Sequence, residues 1–135
     1  MRDEKRHLGR FLVVGGLSVA TDLGVLLALH AGLGWERSLA KGLSYVAGMA
    51  LGFALNKAWT FGSRRQAWTE APSYVLLYAL TLAVNVGVHR ALHDLGLGGG
   101  LAFLGATGLT TVLNYLGLRY ITFRQGIAER HKGTL

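Results

Sequence analysis

Residues 71–89 and 95–118 of this chain contain no Asp, Glu, Lys or Arg. A soluble helix of that length needs charge on its outward face, whereas a helix in a bilayer needs about 20 mainly apolar residues to cross the roughly 30 Å hydrocarbon layer. Four segments meet that requirement, at about 11–31, 39–59, 73–92 and 100–120. The chain therefore reads as an all-α integral membrane protein with four transmembrane helices. At 135 residues it has room for one domain.

The four spans are two copies of one unit. Gly52-Phe-Ala-Leu-Asn-Lys-Ala-Trp-Thr-Phe61 recurs as Asn114-Tyr-Leu-Gly-Leu-Arg-Tyr-Ile-Thr-Phe123, which places Lys57 on Arg119, Phe53 on Tyr115 and Thr60 on Thr122 at an offset of 62 residues. Further upstream the offset is 63: Phe11 falls on Tyr74, Asp22 on Asn85, Gly24 on Gly87 and His30 on His93. A near-constant period over half the chain marks an internal repeat, here about 10–62 and 73–124.

The formal net charge is +7, and the distribution of that charge orients the spans. Four Lys or Arg lie in the amino-terminal tail, three around the middle loop with Lys57, and four at the carboxyl-terminal side; the opposite face has only Arg37, Lys41 and Arg90. The positive-inside rule then puts both termini and the middle loop in the cytoplasm, with the protein in the cell (inner) membrane. Each repeat is a helical hairpin, and the two hairpins run parallel rather than inverted. Trp59, Trp68, Tyr74 and Tyr120 fall at the cytoplasmic interface, and Trp35 at the other. With the spans removed no basic folded face remains, so nucleic acid is not an expected partner. The basic start resembles a signal peptide, but its apolar run is long and lacks a small-x-small cleavage site, so it reads as a retained first helix. Pro72 suits a helix start, and the Gly96–Gly100 run is a turn without a phosphate-loop pattern.

Helices in lipid associate where small residues let backbones approach. Gly16, Ala20 and Gly24 form such a stripe on the first span, echoed by Ala79, Ala83 and Gly87 on the third; Ser44, Gly48 and Gly52 on the second are echoed by Ala106, Thr110 and Asn114 on the fourth. Asp22 lies about 200° around the first helix from Ala20, which gives that helix two non-lipid sides. A homodimer accommodates two such sides more easily than an isolated bundle.

The polar residues within the spans are the candidate substrate-binding set. Asp22, near the middle of the first span, costs at least ~2.5–3.5 kcal/mol to insert as an ion. It reads either as a site on a polar path or as a hydrogen-bonded acid that ties helices together, with Ser18 one turn away. Its repeat mate Asn85 carries no charge. Asn85 and His89 share a face, and with Lys41 they would line a partly cationic interior; the alternative for Lys41 is a side chain snorkelling to headgroups. His89 and His93 have metal-ligand spacing but no completing ligands, so no metal is expected. Lys57 and Arg119, beside Asn56 and Trp59, suit an anionic lipid phosphate or serve simply as topology-setting charges. No nucleophile–base pair or cofactor loop is recognisable, so neither an enzyme nor a cofactor is expected.

These features resemble the GtrA-like family of small four-helix membrane proteins. The likeness is carried by Arg10-Phe-Leu-Val-Val-Gly-Gly16, Thr21-Asp22 and Phe53-Ala-Leu-Asn-Lys-Ala-Trp-Thr-Phe61, with the second-half echo ending at Phe123. The chain departs from the pattern at Ala58, where a second basic residue is common, and at Ile121, where an aromatic is expected. The resemblance implies a role in cell-surface polysaccharide synthesis: flipping of a polyprenyl-phosphate-linked sugar, or of its carrier lipid. The residues it points to are Asp22, Asn56, Lys57, Trp59, Thr60, Phe61, Arg119, Thr122 and Phe123. A second expectation is a non-transporting partner that anchors a polyprenol-phosphate glycosyltransferase. A small proton-coupled drug exporter is a third, but the cationic lining opposes it.

Overall fold

The computed structural model describes residues 2–133, and all its regular structure is helical. Four long helices, α1 (Arg2–Gly32), α2 (Arg37–Thr60), α3 (Ala67–Asp94) and α4 (Gly99–Thr122), are each long and apolar enough to cross a membrane. A short α5 (Arg124–Lys132) follows. The chain divides into two compact units, Met1–Arg64 and Arg65–Leu135, each holding one antiparallel pair of long helices.

The helix boundaries depart from hydropathy where local hydrogen bonding outweighs it. α1 starts at Arg2, so the basic tail is its first turns, with Asp3 and Glu4 facing the positive end of the helix dipole. α2 starts at Arg37 because the Glu36 carboxylate accepts from the backbone N–H of Ser38 and of Leu39, each at 2.9 Å. α3 starts at Ala67, so Pro72 stands inside the helix and does not begin it. The proline removes one bond, to the carbonyl of Trp68, a residue that is itself 72% exposed. α5 carries no long apolar run, and it is anchored by buried Gly126 and Ile127.

Three of the long helices end in a wider π turn, over Leu27–Gly32, Asn56–Thr60 and Leu118–Thr122. In the last two the closing bond reaches back five residues, from the Phe61 amide to the Asn56 carbonyl and from the Phe123 amide to the Leu118 carbonyl, both at 2.9 Å. Their starts are 62 residues apart, so the repeat extends to a distortion of the backbone. Gly34 and Gly62 (φ 72° and 60°) then turn the chain out of α1 and α2 through a conformation that other residues rarely adopt.

Burial within each hairpin is the reverse of that in a soluble protein. Leu17, Val19, Leu23 and Leu27 are 46–69% exposed, while Ser44, Gly48, Gly52, Thr81 and Thr110 are buried. Apolar side chains face outward because the surroundings are apolar, and small or polar ones face the partner helix. The α2 stripe of Ser44, Gly48 and Gly52 packs on α1, and Ala106 and Thr110 pack on α3. The corresponding stripes on α1 and α3 do not. Gly16, Ala20, Gly24, Ala79, Ala83 and Gly87 are all exposed, and a Cβ added at Gly16, Gly24 or Gly87 meets nothing within 4 Å. The face of α1 that packs is the one bearing Phe11, Val14 and Asp22, because an acid in hydrocarbon needs a partner more than a glycine needs a neighbour. The two sides expected of α1 are thus one satisfied side and one small-residue face left outward.

Candidate functional site

In the first hairpin the helix seam is ionic. Lys41 Nζ donates to Asp22 Oδ2 at 2.7 Å, and Ser44 Oγ donates to Asp22 Oδ1 at 2.6 Å. Gly48 allows this close approach: a Cβ there would stand 2.7 Å from the Ser18 carbonyl oxygen and 3.2 Å from Asp22 Cβ. Asp22 lies about 15 Å along α1 from the Gly32 end, roughly half the hydrocarbon thickness. The acid's partners are therefore Lys41 and Ser44, not Ser18, whose hydroxyl is buried with no hydrogen bond. Lys41 neither snorkels away nor lines the path as a lone cation. It turns inward to the acid, with 53% of its side chain still exposed against 21% for Asp22.

The second hairpin repeats the seam in neutral form. Asn85 Nδ2 donates to Thr110 Oγ1 at 3.1 Å, and Thr81 Oγ1 donates to Asn114 Oδ1 at 2.6 Å. By register Asn85 replaces Asp22, Thr110 replaces Gly48, and Asn114 replaces Gly52. His89 is half-buried one turn beyond Asn85. Among the described residues no three His, Asp or Glu gather as a ligand set, and His93 Nδ1 approaches Asp94 only to 3.9 Å.

The end of each hairpin away from its tight turn carries the π turn and a cation. In the first, Asn56, Thr60 and Phe61 are buried, and Thr60 Oγ1 donates to Asn56 Oδ1 at 2.9 Å. Lys57 Nζ reaches the Ser63 carbonyl and hydroxyl at 3.3 and 3.4 Å. Trp59 is 41% exposed, and its carbonyl accepts from Arg10 Nη1 at 2.8 Å; the Arg10 guanidinium carbon stands 5.1 Å from the Trp59 ring centre. In the second hairpin Leu118, Thr122 and Phe123 are buried in the corresponding places. Ser73 and Thr122 share a hydroxyl–hydroxyl bond of 3.1 Å, and the Arg119 guanidinium lies 5.5 Å from the Tyr120 ring.

A family model described as GtrA/DPMS, transmembrane domain, matches residues 10–123. The chain belongs to that family. With four spanning helices and this membership, it is a multi-pass membrane protein of glycan biosynthesis. In this GtrA/DPMS chain the seven candidate residues fall into two sets. Asp22, Asn85 and His89 lie along the seams at membrane depth; Asn56, Lys57, Trp59 and Arg119 lie on the π turns. Sequence reasoning did not place Arg10 among the site residues, reading it as tail charge and as the start of a family motif, and it passed over Glu70, which is 1% exposed at the start of α3. The repeat held a clue to Glu70, since its mate is His7, whose ring stands 5.8 Å from that of buried Phe61.

Proposed function

We propose that the protein translocates a polyprenyl-phosphate-linked sugar, or its spent carrier lipid, across the inner membrane during cell-surface glycan synthesis. The observation that carries this reading is the half-exposed Lys41 of the Asp22–Lys41 pair. A pair that only tied α1 to α2 would be shut off from hydrocarbon, because an ammonium facing lipid is costly. An open pair offers a cationic donor and an anionic acceptor side by side, which is what a passing sugar hydroxyl can exchange bonds with. Asn85 and His89 give the second hairpin polar groups of its own for a sugar hydroxyl. Each hairpin offers a lipid phosphate one cation on its π turn, Lys57 in the first and Arg119 in the second, with Asn56 and Trp59 shaping the turn that holds Lys57. The isoprenoid tail stays in the bilayer, both termini face the cytoplasm, and no reaction chemistry is required of the chain. Room for a sugar head favours a homodimer over a lone set of four helices. A drug exporter is disfavoured, since an incoming cation would have to displace Lys41 from Asp22.

Purified protein in liposomes with a labelled polyprenyl-phosphate sugar tests this. The expected result is transbilayer movement above protein-free vesicles, slowed at least tenfold (on the order of 1.4 kcal/mol in the barrier) by Asp22→Asn. A folded sample that moves no more label than empty vesicles would sink the reading. The outward small-residue faces of α1 and α3 favour a second reading, a membrane anchor for a glycosyltransferase. In that case Asp22→Asn and Lys57→Ala leave glycan synthesis intact, whereas Leu at Gly16 or Ala20 breaks a stable complex.

A further inference from the structure

Arg10 is built into the first hairpin in a way that the fold itself does not require. Its guanidinium is fixed twice, by the bond from Nη1 to the Trp59 carbonyl and by stacking over the Trp59 ring. A guanidinium has five N–H donors in one plane; a carbonyl occupies one, and a ring covers a face rather than an edge. Among the described residues no carboxylate pairs with Arg10. A permanent cation is thus held rigidly at the mouth of the hairpin with most of its donors uncommitted.

The internal repeat separates construction from use. Position 10 corresponds to Ser73, and the second hairpin forms the same π turn there with only a neutral bond to Thr122. The backbone feature needs no arginine. Lys57 is held differently, since its ammonium reaches the Ser63 carbonyl and hydroxyl. Arg10 keeps its edge available, and a planar fork with two parallel N–H groups matches two phosphate oxygens.

We propose that Arg10 is a further phosphate-recognising residue of this protein and that it grips the phosphate of an isoprenoid lipid bidentately at the first hairpin. This rests on the translocation reading only for the choice of lipid. The two hairpins are then unequal in use although alike in build: the first offers a guanidinium at this position and the second a neutral hydroxyl, Ser73.

The three tryptophans are Trp35, Trp59 and Trp68. A Trp35→Phe/Trp68→Phe background therefore reports on Trp59 alone. In detergent micelles this protein is titrated with geranylgeranyl phosphate, with geranylgeraniol and with inorganic phosphate. The lipid phosphate is expected to shift Trp59 emission as it binds the guanidinium stacked on that ring, and Arg10→Gln to weaken binding at least tenfold. Arg10→Lys, which keeps charge but not the fork, is expected to fall between the two, with helicity unchanged by circular dichroism. Undiminished binding by Arg10→Gln, or alcohol binding as tight as that of its phosphate, would overturn the proposal. Equal affinity for inorganic phosphate would overturn the lipid as the source. Because no transport is measured, failed flipping with Arg10-dependent binding removes the translocation reading alone, and normal flipping with Arg10-independent binding removes this one alone.

Discussion

Gly48 sets how near α2 comes to α1, and through that distance it decides what Asp22 can bond to. The space for a Cβ at Gly48 is bounded by a backbone oxygen at 2.7 Å, which cannot rotate aside as a side chain can. Gly48→Ala is therefore expected to force the helices apart and to lower stability by about 1–3 kcal/mol. Gly16→Ala, on the open face of α1, is expected to leave hairpin stability unchanged. Thermal unfolding of both variants in one detergent checks the contrast, and matching transitions would discard it. The sequence marked Asp22 as a residue needing a partner and named Lys41 and Ser44 for other reasons. It did not join the three, because side chains 19 and 22 residues apart meet only once the helices choose their facing sides.

The ends of the helices carry as much information as their apolar middles. At the start of α2 the Ser38 amide, then the Leu39 amide, holds the Glu36 carboxyl below the ordinary glutamate value of 4.5. A carboxyl whose folded value is depressed adds stability that is complete above its unfolded value and disappears as pH falls through the folded one. Wild-type protein is therefore expected to lose unfolding temperature below pH 4.5 more steeply than Glu36→Gln, and parallel curves would refute the cap as a source of stability. At the end of α2 the buried pair of Asn56 and Thr60 supports the π turn, whereas the second hairpin has Leu118 in the place of Asn56. Asn56→Leu alone orphans the Thr60 hydroxyl and should cost about 1–3 kcal/mol; Asn56→Leu with Thr60→Val should recover most of it. Chemical unfolding of the single and double variants decides, and an additive loss would count against the pairing. The turn type itself was not legible in Asn56–Thr60, because a π turn differs from an α turn by one residue of hydrogen-bond register and not by composition.

At the scale of the whole chain, two hairpins of one design have taken different polar seams, one ionic and one built from amides and hydroxyls. Eleven Lys and Arg at one set of helix ends against three at the other predict that both termini and the middle loop face the cytoplasm. The chain has no cysteine, so each introduced one is unique. Single cysteines at Arg65 and Arg130 are expected to be shielded from a membrane-impermeant maleimide added to intact cells, and those at Arg37 and Leu97 to react. The reverse pattern would invert the topology and place the Arg10–Trp59 corner on the outer side.

The amino-acid sequence by itself determined the number of spans, their duplication and the polar residues placed within them. These depend on local quantities: hydrophobic length against bilayer thickness, and recurrence of residue types at a fixed offset. Only the tertiary structure decided that α1 turns Asp22 and not its glycine stripe toward α2, and that Arg10 rests on Trp59. Every helix has several faces that composition alone would let it bury. The choice among them follows from which distant groups can satisfy one another's charge and hydrogen bonds when lipid offers neither.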